Sequence, residues 1–175
     1  MKDKLELIIV SDNHGQIASL EKVLSAQPKA DYYFHCGDSN IKPDHPVMNR
    51  FITVKGNTDF GCDYPETQTK KLANNQLVWV THGHRQYVRF AATELVESLN
   101  SLSEKPDFVF YGHTHRSNTE FIDGILYINP GSVFEPRDEL PPSYVKLTIT
   151  EDEYLIELNE ASSHQPIKEV KIPRP

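Results

Sequence analysis

The sequence predicts an α/β domain that opens with strand–loop–helix units and closes in antiparallel hairpins. Three observations carry this prediction. Short runs of branched apolar residues alternate with a helical repeat early in the chain. A strong two-residue turn signal stands at Asp123-Gly124. The length of 175 residues suits one domain with a core of its own.

Residues 5–10 form a continuous Leu/Ile/Val-rich run that reads as a buried strand. The polar stretch 11–15 follows, and then Ile17, Leu20, Val23 and Leu24 recur at helical spacing until Pro28. Residues 32–35 and 51–54 are the next strands, each running into a polar, glycine-containing loop. Residues 67–72 and 77–81 flank Asn74-Asn75 as a hairpin, and Ala91, Leu95, Leu99 and Leu102 give the apolar stripe of a second helix. Residues 108–111 form a buried strand. The pairs 119–122 with 125–128 and 144–150 with 154–158 close two further hairpins. The expected domain spans residues 1–160, and residues 161–175 read as a loosely held polar tail.

Composition narrows the function. The chain has 18 basic and 25 acidic residues, a net charge of −7, which excludes a protein that coats nucleic acid or anionic membrane by bulk charge. Two cysteines make no disulfide framework, no apolar run nears the roughly 20 residues of a membrane span, and residues 1–4 lack the apolar stretch of a secretory signal. A cytoplasmic protein is expected. Eight histidines are the notable surplus.

They fall where α/β sheets place ligand sites, in loops that follow strands. Asp12-Asn13-His14 follows the first strand, Asp38 the second, Asn57 the third, His82 the hairpin strand, and His113-Thr114-His115 the late strand. Carboxylate, amide and imidazole donors suit a borderline or hard divalent cation. In Asp12-x-His14 and His113-x-His115, a spacing of two on an extended chain would point both side chains the same way. Each motif alone has an ordinary structural explanation as a capping loop or turn. Five such loops in one chain outweigh it.

Asp12-x-His14, Gly37-Asp38, Gly56-Asn57, His82 and Gly112-His113-x-His115, in this order, resemble the calcineurin-like metallophosphoesterases. Thr81-His82-Gly83-His84 and Asn129-Pro130-Gly131-Ser132 are similar to the small, single-domain prokaryotic phosphodiesterase branch. The resemblance implies a four-layer α-β-β-α sandwich with two mixed β-sheets. It implies one metal held by Asp12, His14, Asp38 and His115 and a second by Asp38, Asn57, His82 and His113, with Asp38 bridging. The ions expected are two divalent cations, manganese or iron first, with zinc, nickel or magnesium as alternatives. A hydroxide bridging them would be the nucleophile. Two such ions, two aspartates and a hydroxide leave one net positive charge, which a phosphodiester monoanion neutralises and a monoester dianion overshoots.

Larger members carry histidine after the Gly-Asn pair, where this chain has Thr58. The leaving-group acid is therefore open among His84, Asp59 and solvent, with either side chain alternatively a neighbour of the ligands. Thr58, Arg85 and Arg137 are candidate substrate contacts, with Arg89 and Arg116 also near motif loops. Phe60 and Tyr64 are either a wall for an aromatic group or core. Cys36 is expected to be a small buried hydrophobe, His35 a neighbour of the ligands, and His45 and His164 incidental. The activity implied is hydrolysis of a phosphodiester-containing small molecule or nucleotide. The alternatives are phosphomonoester or nucleotide hydrolysis, or a non-catalytic assembly scaffold. The late apolar hairpins leave a homodimer open.

Overall fold

Two mixed sheets packed face to face account for the strands of the structure, a computed structural model that describes residues 4–175; residues 1–3, part of the segment read for a secretory signal, lie outside it. In chain order the elements are β1 (Leu5–Val10), α1 (Ile17–Ala26), β2 (Tyr32–His35), β3 (Phe51–Thr53), β4 (Thr67–Lys71), β5 (Leu77–Thr81), α2 (Val96–Leu99), β6 (Phe108–Phe110), β7 (Ser117–Ile122), β8 (Ile125–Pro130), β9 (Ser143–Ile149), β10 (Glu153–Glu160) and β11 (Pro166–Pro173). Short 3-10 turns cover Pro46–Arg50 and Ala92–Leu95. The first sheet has the order β11-β10-β9-β1-β2-β3 and the second β4-β5-β6-β8-β7.

The strand pattern explains the layering. Along β1, Leu5, Leu7 and Ile9 enter the core between the sheets, while Ile8 and Val10 face the other way, against Leu20 and Val23 of α1. Along β5, Val78 and Val80 point into the same core and Trp79 points out, against Ala92 and Leu95. Both faces of each sheet are therefore covered, which is why these strands read as unbroken apolar runs. Phe34 of β2 meets Phe110 of β6 edge to face, ring centres 5.1 Å apart, and joins the two sheets.

Two expectations need correction. The helix over 91–102 is a 3-10 turn followed by one α-turn, although its apolar register holds, with Leu99 and Leu102 packed against the Trp79 cluster. Its polar face is rich in Ser, Thr and Asn, which compete for backbone groups: the Ser101 hydroxyl donates to the Ser98 carbonyl at 2.8 Å. The tail is not loose. Residues 166–173 form β11, the edge strand paired with β10, and Val170 and Ile172 pack on the main core. Its prolines sit at the strand ends, where an edge strand tolerates them. The apolar hairpin faces that left a dimer open, including Val145, Leu147, Ile156 and Leu158, are turned into the sandwich.

The topology positions the site. β1, β2 and β3 run parallel, so the loops that follow them emerge at one edge of the first sheet. β5, β6 and β8 run parallel in the second sheet and do the same. The Val133 N–H donates to the Ser11 carbonyl at 3.1 Å, tying the two sets of loops together.

Phe34→Ala should cost about 3–5 kcal/mol of unfolding free energy by loss of contacts and cavity formation, whereas Phe121→Ala, on exposed edge strand β7, should stay within about 0.5 kcal/mol. Urea denaturation of both variants checks this.

Candidate metal centre

Asp12, His14, Asp38, His113 and His115 all adopt left-handed backbone conformations, with φ between 43° and 71°. The two Asp-x-His and His-x-His pairs are thus not the extended segments expected from their spacing. Tight turns aim the side chains inward instead, at a local cost on the order of 1 kcal/mol each. Hydrogen bonds hold these turns in place: Asp12 N–H to the Gly37 carbonyl at 3.1 Å, and His14 N–H to the Asp38 carbonyl at 3.1 Å.

The candidate ligand atoms converge from both sheets. One oxygen or nitrogen from each of Asp12, His14, Asp38 and His115 lies within 4.8 Å of the others. His14 Nε2 is 3.1 Å from His115 Nε2 and 3.9 Å from Asp38 Oδ2. On the other side, His82 Nε2 is 3.3 Å from Asp38 Oδ2 and 3.1 Å from Asn57 Oδ1, which also lies 3.0 Å from His113 Nδ1. Asp38 therefore stands between the two groups of donors that the family resemblance implies.

Two carbonyl contacts fix ligand tautomers. His82 Nδ1 donates to the Cys36 carbonyl at 2.7 Å and His115 Nδ1 to the Glu135 carbonyl at 2.7 Å, which leaves each Nε2 turned to the centre. His14 Nδ1 lies 3.1 Å from Asn40 Oδ1. Asp12 Oδ2 accepts from the Ser11 hydroxyl and the His113 N–H, but buried Asp12 Oδ1 receives no hydrogen bond. That oxygen faces His115 Nε2 at 3.3 Å and His82 Nε2 at 3.9 Å. A buried carboxylate oxygen with no donor, surrounded by imidazole nitrogens, fits a divalent cation.

The same charges set the protonation of the site. Burial disfavours ionised Asp38, yet His82 and the Thr58 amide hold its carboxyl well below the usual range. Burial likewise opposes a charge on His82, but Asp38 and Asp12 outweigh it and lift its pKa to about 9. Burial, reinforced by neighbouring His82, lowers His113 and His84.

Asp59 was expected as an acid or a neighbour of the ligands, and its geometry suits the second role. Its buried carboxylate accepts the N–H groups of Asp38 and Gly56 at 2.8 Å and of Asn40 at 2.7 Å, and the Ser39 hydroxyl at 3.3 Å. The group locks the Asp38 and Asn57 loops together. Gly56 completes that junction, since a Cβ there would overlap the Asp38 backbone nitrogen and carboxylate. His84 sits beside the centre, its ring 5.4 Å from that of His82, with Nδ1 buried and unpartnered. Thr58 donates its N–H to Asp38 Oδ1 at 2.8 Å.

Arg85 forms a two-pronged pair with Glu66 at 2.9 Å on the exposed rim of the centre. The Arg137 backbone N–H donates to the His115 carbonyl at 2.8 Å, and its exposed side chain lies near enough to oppose a charge on His115. Arg89 and Arg116 are exposed. Tyr64 packs on the outer core with its hydroxyl donating to the Ile41 carbonyl at 2.8 Å, whereas Phe60 is exposed. His45 caps the 3-10 turn by accepting the Val47 N–H at 3.2 Å, and His164 lies against Tyr144.

Three residues inside the quoted motifs had no role assigned to them from the sequence. Asn129 donates to the Gly112 carbonyl at 2.9 Å, and Ser132 donates to the Asp12 carbonyl at 2.8 Å, both securing ligand loops. Asn13 accepts from His35 Nε2 at 2.8 Å, while His35 Nδ1 accepts the Gly37 N–H at 3.1 Å, so one buried imidazole joins the first two loops.

Residues 5–152 match the calcineurin-like phosphoesterase superfamily domain, and the chain belongs to that family. It is 32% identical to a probable metallophosphoesterase, YsnB, of Bacillus subtilis over 149 residues, covering 85% of this chain and 86% of the relative. It is 30% identical to phosphodiesterase YfcE of Escherichia coli K12 over 166 residues, covering 80% and 85%. A crystal structure of a predicted phosphoesterase from Streptococcus pneumoniae TIGR4 superposes with a TM-score of 0.90 at 29% identity, covering 99% of this chain and 100% of that one. The family and the donor cluster support a metal-dependent phosphoesterase.

Burial lowers the His35 pKa from 6.5 to about 4. A group that binds its proton less tightly when folded stabilises the fold fully above its unfolded pKa, and that contribution is lost as the pH falls toward the folded value. The stability advantage of the wild type over His35→Gln should therefore shrink between about pH 6.5 and about pH 4. Urea midpoints of the two proteins across that range check it.

Proposed function

We propose that the protein is a phosphodiesterase that uses two divalent ions. One would be held by Asp12, His14, Asp38 and His115, and the other by Asp38, Asn57, His82 and His113. The observation that carries the reading is the position of Asp38 Oδ2, 3.9 Å from His14 Nε2 and 3.3 Å from His82 Nε2. A carboxylate so placed can serve two ions at once, and an imidazole cannot. Divalent ions held by these residues would activate a water as the nucleophile and polarise the phosphoryl oxygens.

The chain's own groups do the rest. Asp59 and Gly56 keep Asn57 and Asp38 in register, and the Cys36 and Glu135 carbonyls keep His82 and His115 in the ligating tautomer. His84, with an open Nδ1, is assigned to the leaving-group side, because the Asp59 oxygens are taken up by backbone and hydroxyl donors. With two aspartates as the candidate acidic ligands among the described residues, a residual positive charge is left that a diester monoanion matches. Nitrogen and oxygen donors favour manganese or iron. Cys36 and Cys62 are buried free thiols, in keeping with a reducing cytosol. Among the described residues no helix is long and apolar enough to cross a membrane. An assembly scaffold has less support, since every matched donor is present and converges.

Removal of metal by a chelator should abolish hydrolysis of bis(p-nitrophenyl) phosphate, and manganese should restore it. Asp38→Asn or His115→Ala should lower kcat/KM by at least about 100-fold. Full activity in either variant overturns the ligand assignment. Thr58→His should shift the ratio of diester to monoester turnover by about tenfold or more. An unchanged ratio would mean that the side chain at 58 does not face the substrate.

A further inference from the structure

Four exposed aromatic side chains lie on the loops of the candidate metal centre. Phe60, 86% exposed, follows the Gly56–Asp59 turn. Tyr87 and Phe90, 79% and 75% exposed, lie on the loop that leaves His82. Phe134, 44% exposed, precedes Glu135, whose carbonyl orients His115. Single exposed rings are ordinary, but several around one functional centre mark a binding surface.

These rings are held out by built turns. The Phe60 N–H donates at 2.9 Å to the carbonyl of Thr58, the residue whose amide contacts Asp38. Tyr87 has φ 56°, a strained value for a bulky residue, and its N–H donates to the His84 carbonyl at 3.2 Å. Val88 beside it is buried and anchors the turn. The Arg85–Glu66 pair ties the Tyr87 loop to the segment that follows Phe60.

We propose that Phe60 and Tyr87 form a stacking platform for a planar ring, and that the substrate is a phosphodiester carrying a nucleobase, of mononucleotide or dinucleotide size. This rests on the phosphodiesterase reading and names its substrate class. Every nucleobase offers a π-face to an aromatic side chain whatever its sequence context. The Arg85 guanidinium is paired with Glu66 beside these rings. The net charge of −7 disfavours a long polyanion. The rings lie on the same loops as the candidate ligands and the groups that orient them, which favours the substrate as the occupant.

The test uses two substrates with one leaving group: thymidine 5′-(p-nitrophenyl phosphate) and methyl p-nitrophenyl phosphate, assayed with manganese. The wild type should favour the nucleoside ester in kcat/KM by about tenfold, and Phe60→Ala and Tyr87→Ala should bring the ratio close to one. Phe121→Ala, an exposed ring on β7, is the control that keeps the ratio. No preference in the wild type, or an unchanged ratio in both variants, overturns the platform while leaving the phosphodiesterase reading intact. Loss of a dimer in the variants with an unchanged ratio assigns the rings to a contact between copies, and also overturns it. If the wild type hydrolyses neither ester, the phosphodiesterase reading fails. An amide NMR titration with thymidine 5′-monophosphate then decides the platform: shifts at residues 58–62 and 84–90 support it, and their absence overturns it.

Discussion

Two carboxylates, Asp12 and Asp38, are buried side by side at the edge where the sheets meet, and the surrounding loops are organised around that fact. A buried charge without compensation is costly. Asp12 Oδ2 and Asp38 Oδ1 are satisfied by protein donors, the Ser11 hydroxyl, the His113 amide and the Thr58 amide. The opposite oxygens, Asp12 Oδ1 and Asp38 Oδ2, face imidazole nitrogens. The protein thus directs one half of each carboxylate into its own scaffold and the other half into the centre.

That division requires both sheets. Asp12, Asp38 and Asn57 come from loops of the first sheet, and His82, His113 and His115 from loops of the second. The distance between the two donor groups is set by the core between the sheets, where Phe34 meets Phe110. An ion that binds only this arrangement adds to the stability of the sheet packing by mass action. The left-handed residues fit the same picture: their backbone cost is local, and the hydrogen bonds that enforce it come from the neighbouring loop.

Much of this could be read in the sequence, for physical reasons. Buried strands announce themselves as apolar runs, and Asp123-Gly124 forms its hairpin turn because both residues accept positive φ, 50° and 80°. The candidate donors were visible because metal chemistry restricts residue type. What hid was set by tertiary contacts. Asp59 looked like a possible acid because its four donors come from Asp38, Ser39, Asn40 and Gly56, three of them backbone amides without a sequence signature. Strand β11 was masked by its charged, proline-flanked composition, although Val170 and Ile172 at a spacing of two carried its register. The helix over 91–102 had the right apolar stripe, but its Ser, Thr and Asn positions could not sustain a regular backbone.

Cys36 shows how the strand period governs which elements the site can attract. Its carbonyl oxygen orients His82, yet its thiol lies on the opposite side, in the core between the sheets, where burial raises its pKa well above the normal thiol value. The sulfur next to the centre in sequence is thereby removed from it in chemistry: it stays protonated and points away. The donor surface left to an incoming ion is nitrogen and oxygen alone. Cys36 follows β2 and keeps its alternation, and that is what turns the sulfur into the core and away from the candidate donors.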